Sequence, residues 1–339
     1  MRLQDQLYKW EDLTDENLSF FKQIGVDYVV APSPPSVKAG QDPTEDLENA
    51  KAMISSHGMR LYVVQMAERI WDEITLGLEG RDDKIEIWRT ALKAMGKVGI
   101  PVLGYVFNAI GHFRTQPSRG RGGAKYSRFD LEEYRRGRGR SLYNEQEKID
   151  VGEGRKRRIS EEALWKNLRY FLERVIPVAE EANVTMALHP DDPPISEPLG
   201  GAARIITSVE NYKRVMDMVP SPSNGIEFCQ GCFSEMGTDV LEAIRYFGSR
   251  GKIQYVHFRN IRGKPLSFEE VFVDEGDMDM VEAMQTYKEV GFEGPFMMDH
   301  TPEITGDRYD RSGRAYAAGY IRALLQSVYG RRLVCHDEA

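Results

Sequence analysis

The stretch VTMALHPDDPP (184–194) decides the fold. Val184 to Leu188 run without polar alternation, as a strand buried on both faces does. The run ends in His189 and passes at once into Pro190, Asp191, Asp192, Pro193 and Pro194. Working outward, the same form recurs along the chain. VDYVVA (26–31), LYVVQMA (61–67), VLGYVF (102–107), GIEFC (225–229), IQYVHF (253–258) and PFMMD (295–299) are short apolar runs. LQDQLYKW (3–10) is a weaker eighth.

Amphipathic stretches fill the intervals. Ile85, Trp88, Leu92 and Met95 keep helical spacing, as do Leu164, Leu168, Phe171, Val175 and Ala179. Gly25, Gly58, Gly99 and Gly291 end or follow such stretches, as C-terminal caps do. Eight helices are expected to begin near residues 14, 44, 84, 160, 208, 238, 278 and 313. Strict β–α alternation over one domain's length predicts an α/β fold, a single (β/α)₈ TIM barrel over 1–339. A doubly wound open sheet is the rival. No GxGxxG follows an early strand, which weakens a dinucleotide-binding version of it.

One segment breaks the rhythm. Between Phe107 and Ser160 no strong strand is visible, so a long insert follows strand four. Residues 114–158 hold 14 Lys/Arg against 7 Asp/Glu, while the whole 339-residue chain has net charge −8. A basic, Gly/Arg-rich insert over 108–159 is therefore expected to lie at the periphery, partly mobile, as a lid or an oligomer contact. Attraction of an anionic substrate is the sharper reading. Nucleic-acid binding is not expected from an acidic protein without a recognised motif.

Composition bounds the rest. Apolar residues make up 41% and charged residues 29%, a globular balance. No apolar run reaches the roughly 18 residues of a membrane span. The start, MRLQDQLYKWEDL, has no apolar signal-peptide core, so a cytoplasmic location is expected. Three cysteines, Cys229, Cys232 and Cys335, cannot staple a chain of this size.

A barrel's active site lies at the carboxyl ends of its strands. Strand five ends in His189, strand six in Cys229, strand seven in His257 and strand eight in Asp299. Four consecutive strands thus deliver one potential metal donor each to the same rim. Any one of these alone is commonly structural: a hydrogen-bonded His, or a buried Cys acting as a small hydrophobe. Their joint placement points to a metal. Cys229-Gln-Gly-Cys232 is a lone CxxC without the second pair of a structural zinc site, and Cys232 is expected in a loop beside the ligand.

Further polar groups surround the rim. Arg259, two residues after His257 on the same strand face, can clamp a substrate carboxylate; the alternative is a salt bridge with Asp191 or Asp192. Asp191 and Asp192 are themselves candidate substrate-binding residues. His300 follows Asp299 and suits a general acid or base, and Tyr309 lies in the polar loop GDRYDR. Asp277, in EGDMDM (275–280), is a candidate cap for helix seven.

These residues resemble a known family. HPDDPP, NGIEFCQG, HFRN, DEGDMDM, MDH and YDRSGR, in this order from about 160 to 325, are similar to mannonate dehydratases, metal-dependent sugar-acid lyases of the xylose-isomerase-like barrels. The resemblance implies metal ligation by His189, Cys229, His257 and Asp299, and catalysis by His300 and by Tyr309, five residues before Arg314. It implies Mn²⁺, although a thiolate ligand also suits Fe²⁺, Co²⁺ or Zn²⁺. The implied reaction converts mannonate to 2-dehydro-3-deoxygluconate and water.

The amino-terminal half departs from the family. A His-His-Ile-Pro run is replaced by Pro32-Ser33-Pro34-Pro35, and a Glu by Gln65. An Asn is replaced by Val106, an Asp-Trp by His112-Phe113, and an Arg by Met297. The metal site is thus better matched than the sugar pocket. The expectation is a metal-dependent dehydratase of a small sugar acid, working as a homo-oligomer. A sugar isomerase or epimerase on the same barrel and metal is the alternative.

Overall fold

The structure is a computed structural model, which describes residues 2–66, 71–141, 158–308 and 310–330. Eight parallel strands close a barrel. They are β1 (Arg2–Gln6), β2 (Tyr28–Pro32), β3 (Arg60–Gln65), β4 (Val102–Tyr105), β5 (Thr185–Leu188), β6 (Asn224–Cys229), β7 (Ile253–His257) and β8 (Pro295–Met297). Each pairs with its sequence neighbours, and β8 pairs with β1. All seven strong strands expected from apolar runs are present, and so is the weak eighth.

The helices alternate with them: α1 (Asp15–Gln23), α2 (Thr44–Ser56), α3 (Arg81–Val98), α4 (Glu161–Glu181), α5 (Val209–Met218), α6 (Val240–Gly248), α7 (Met280–Glu289) and α8 (Arg311–Tyr329). Each begins within about three residues of its expected start. Thr14, Ser160, Ser208 and Asp239 cap α1, α4, α5 and α6 by accepting backbone N–H groups with their side chains. The cap of α7 is Asp279, which accepts from Val281 and Glu282, and not Asp277. Asp277 instead accepts the N–H of Gly263 at 2.8 Å. Gly99 closes α3 with φ at +80°, a conformation that costs a residue with a Cβ.

The main core lies between strands and helices. A smaller layer fills the barrel itself: Val30, Val63, Val102, Ala187, Tyr255 and Met297. This packing makes the barrel solid below the carboxyl-end rim.

The described part of the insert packs against the loops at the carboxyl ends of the strands. Ala109, Ile110, Phe113, Phe129 and Leu131 form a second apolar cluster with Ile195, Leu199, Ala202, Ile261 and Phe268. Its strand Arg128–Asp130 pairs antiparallel with Ser267–Glu270, which pairs with Ile261–Lys264 in the excursion after β7. Residues 108–141 therefore cap the carboxyl-end rim. Their apolar residues carry no period because they sit in short strands and turns, and their partners are distant in sequence. Residues 142–157 lie outside the described residues.

Candidate metal centre at the barrel rim

Register brings the expected donors together. In the β6–β7 pairing Cys229 stands opposite His257. The donor atoms of Cys229, His257 and Asp299 all lie within 4.8 Å of one another, as do those of His189, Cys229 and Cys232. His189, Cys229 and His257 are buried, and the Asp299 side chain is 13% exposed.

Each donor is held from outside. His189 follows β5, where its N–H bonds the Tyr105 carbonyl at 2.9 Å. Its Nδ1 lies 2.8 Å from the Pro190 carbonyl, so Nδ1 carries a hydrogen and Nε2 is the nitrogen left for an ion. His257 Nε2 lies 2.8 Å from Glu227 Oε1, and its Nδ1 lies 3.5 Å from Asp299 Oδ2. Asp299 adopts φ of +80°, a strained conformation for a residue with a side chain. Gln6 donates to its carbonyl at 2.9 Å and to its carboxylate at 3.1 Å, and Tyr8 donates to the carbonyl at 3.2 Å. The β1 end thereby fixes the last donor.

Cys232 is not in a loop. Cys229 is the N-cap of the short helix Gln230–Glu235, and Cys232 sits in its first turn, fully buried. Arg259 donates to its sulfur at 3.1 Å.

Electrostatics favour a charged donor set. Burial alone raises the Cys229 thiol pKa, yet the neighbouring Cys232 thiol, the Arg259 guanidinium and the two imidazoles beside it hold it well below its usual range. Burial and the Cys229 sulfur push the Cys232 thiol well up, so of the pair Cys229 is the one whose ionisation its surroundings favour. Burial opposes ionisation of Asp299, but His300, His257 and Arg259 keep its pKa well below normal. For His189, burial lowers the pKa, while Glu227 and Cys229 raise it to about 9.

Beside the donors lies an ionic network that the sequence reading found only in part. Arg259 contacts Glu270 and Glu235 at 2.8 Å each, Asp192 at 3.3 Å and His300 Nε2 at 3.1 Å. Its guanidinium is thus engaged by this network, the alternative weighed against a substrate clamp. Arg114, from the insert, binds Asp192 with two nitrogens and also reaches Glu270. Asp191 is turned away from this network. Its carboxylate accepts the N–H groups of Ile205 and Ile206 at 2.9 Å and faces Arg204 at 3.5 Å. It anchors the loop after β5.

His300 reaches the network's open side, with its side chain 32% exposed. Its Nδ1 lies 3.1 Å from Glu270 Oε2, and Nε2 lies 3.2 Å from Asp299 Oδ2. Burial lowers its pKa, but Asp299 and Glu270 raise it above the usual histidine value. Tyr309 lies outside the described residues.

Sequence reading missed Arg114, Glu227, Glu235 and Glu270. Arg114 was one basic residue among many in the insert. Glu227 carried a signal, a lone charge inside the buried run GIEFC.

The residues fit a divalent ion on their own chemistry. An ionised thiolate and carboxylate and a buried imidazole nitrogen converge where little water enters. His257 Nδ1 is buried and makes no hydrogen bond among the described residues, and it faces the Cys229–Asp299 side.

Comparison with known proteins agrees with this geometry. Residues 4–332 match the family model described as D-mannonate dehydratase (UxuA). The chain is 32% identical over 343 residues to mannonate dehydratase 2 of Halalkalibacterium halodurans, covering 94% of this chain and 98% of that protein. It is 32% identical over 313 residues to the mannonate dehydratase of Thermotoga maritima, covering 84% of this chain and 86% of that protein. The crystal structure of mannonate dehydratase from Streptococcus suis serotype 2 superposes with a TM-score of 0.84 at 29% identity, covering 100% of this chain and 97% of that one. L-ribulose 3-epimerase, at 12% identity and a TM-score of 0.60, shares the barrel fold. On a match that spans nearly the whole chain, the barrel belongs to the mannonate dehydratase family and is a metal-dependent hydro-lyase of the sugar-acid dehydratase class.

Proposed function

We propose that His189, Cys229, His257 and Asp299 hold one divalent ion, Mn²⁺, and that the substrate is mannonate, dehydrated to 2-dehydro-3-deoxygluconate. The observation that carries this reading is the convergence of donors from β6, β7 and the β8 loop, two of them buried, within 4.8 Å. A bound divalent ion supplies charge stabilisation to the substrate carboxylate while the adjacent C2 proton leaves.

The chain's own residues do the rest. Loss of water needs one group to take the C2 proton and another to protonate the departing C3 hydroxyl. His300 sits between two carboxylates, with Nδ1 3.1 Å from Glu270 Oε2 and Nε2 3.2 Å from Asp299 Oδ2, and its half-open ring is the group placed to exchange a proton. Asp299 and Glu270 raise the pKa of His300 above the usual histidine value, which supports the acid role. Tyr309 takes the base role, by the family match alone. Arg259 and Asp192, locked to each other and to Arg114, wall the pocket rather than clamp a carboxylate.

The test is to strip the protein of metal, reload it with Mn²⁺ and offer a panel of aldonic and uronic acids. Keto-acid formation with loss of one water from mannonate supports the reading. A product of unchanged mass would identify an isomerase or epimerase instead.

A further inference from the structure

Glu227 is buried to 3% exposure in β6, two residues before Cys229 and so on the same strand face. A carboxylate at the barrel interior needs a partner. Its Oε1 lies 2.8 Å from Nε2 of His257, while the other ring nitrogen, Nδ1, lies 3.5 Å from Asp299 Oδ2. Donor atoms of His257 lie within 4.8 Å both of Cys229 and Asp299 and of His189 and Glu227. Glu227 stands opposite Tyr255 in the β6–β7 register. The Tyr255 hydroxyl donates to Gln65 Oε1 at 3.1 Å. Gly104 makes room for that pair: a Cβ there would fall 2.0 Å from the Gln65 oxygen and 2.4 Å from the Tyr255 hydroxyl. Polar side chains from β3, β6 and β7 thus gather near the carboxyl end of the barrel, from Gln65 to His257.

We propose that Glu227 is a positioning residue: it accepts the Nε2–H of His257 and so fixes the ring with its Nδ1 lone pair toward Cys229 and Asp299. The inference rests on the metal-site reading above. An imidazole has one hydrogen when neutral, and an acceptor on one nitrogen commits the other to the metal. Removing such an outer acceptor weakens metal binding about 10- to 100-fold in known sites.

The experiment measures Mn²⁺ affinity by chelator competition on full-length wild type, Glu227→Gln, Glu227→Leu and Cys229→Ser. Thermal melting of the metal-stripped proteins checks folding. Co²⁺ loading reports the thiolate through its charge-transfer band. Glu227→Leu is expected to bind Mn²⁺ about 10- to 100-fold more weakly. Glu227→Gln keeps an acceptor oxygen and is expected to fall between it and wild type. Both are expected to keep the thiolate band, and Glu227→Gln alone carries the test if Glu227→Leu does not fold. Equal affinity in all folded Glu227 variants overturns the inference. So does a loss in Glu227→Gln as complete as in Cys229→Ser, which would make Glu227 itself a ligand. Wild type that binds no ion would sink the metal-site reading along with this one.

Discussion

Arg114 binds both carboxylate oxygens of Asp192, at 2.5 and 2.6 Å, and so ties the insert to the loop after β5. Both side chains are nearly inaccessible, at 2% and 3%. Removing one partner of such a pair leaves a buried charge uncompensated, at a cost of about 3–5 kcal/mol. Arg259 still faces Asp192 and Glu270, so the lower end is expected for Arg114→Met. Urea unfolding of the purified variant reads this directly. A midpoint unchanged from wild type would mean the insert contributes nothing to the barrel's stability.

His112 supplies a pH signature. It packs against His189 with ring centroids 5.6 Å apart. Burial, with help from neighbouring cations, pushes its pKa down to about 3 against Asp192's opposing pull. The folded state therefore keeps His112 neutral, while the unfolded chain protonates it near pH 6.5. Its stabilising contribution is complete above pH 6.5 and is lost as pH falls toward 3. Over that window the slope approaches about 1.4 kcal/mol per pH unit. Metal-stripped His112→Gln is expected to lose less stability than wild type between pH 7 and 5. Parallel stability profiles would show that His112 is not held neutral.

The barrel was legible because seven of its eight strands are largely apolar runs and the helices between them repeat apolar residues at helical spacing. The donors were legible for a related reason. A strand that ends in His, Cys or Asp must place that side chain at the rim. The insert was not legible, since Phe113 and Phe129 find their partners in Ile195, Ile261 and Phe268, far along the chain. Cys232 was misplaced because Gly231 suggested a loop. In fact the strand passes straight into a helical turn at Gln230. Gly231 is needed there for space, as a Cβ would lie 2.3 Å from Arg259 Nε.

Proton transfer can be separated from metal binding. His300→Asn removes the ionisable ring nitrogen held by Glu270 with modest change of volume. Turnover is expected to fall on the order of 10²-fold or more, with metal content unchanged. Tyr309→Phe is expected to behave alike. Steady-state kinetics on mannonate beside metal analysis of the same samples decide the matter. Near-normal turnover in both variants would remove these two residues from the chemistry.

The two buried cysteines make the sharpest contrast. Cys229 ends β6 in register with His257, and its surroundings lower its thiol pKa well below the usual range. Cys232 is one helical turn further on, its pKa is raised, and Arg259 donates to its sulfur. A thiolate binds a divalent ion far better than a neutral hydroxyl. Cys229→Ser is therefore expected to lose most of its metal at neutral pH, and Cys232→Ser to stay nearly full. Cys232 also donates the hydrogen bond that helps keep Cys229 ionised, so its replacement by a hydroxyl preserves that donor. Cys232→Ala removes it, and is expected to bind metal more weakly than Cys232→Ser, most visibly at low pH, where protons compete for Cys229. Metal analysis of the three purified variants across pH reads all of this. Full occupancy in Cys229→Ser would leave a centre of His189, His257 and Asp299 alone.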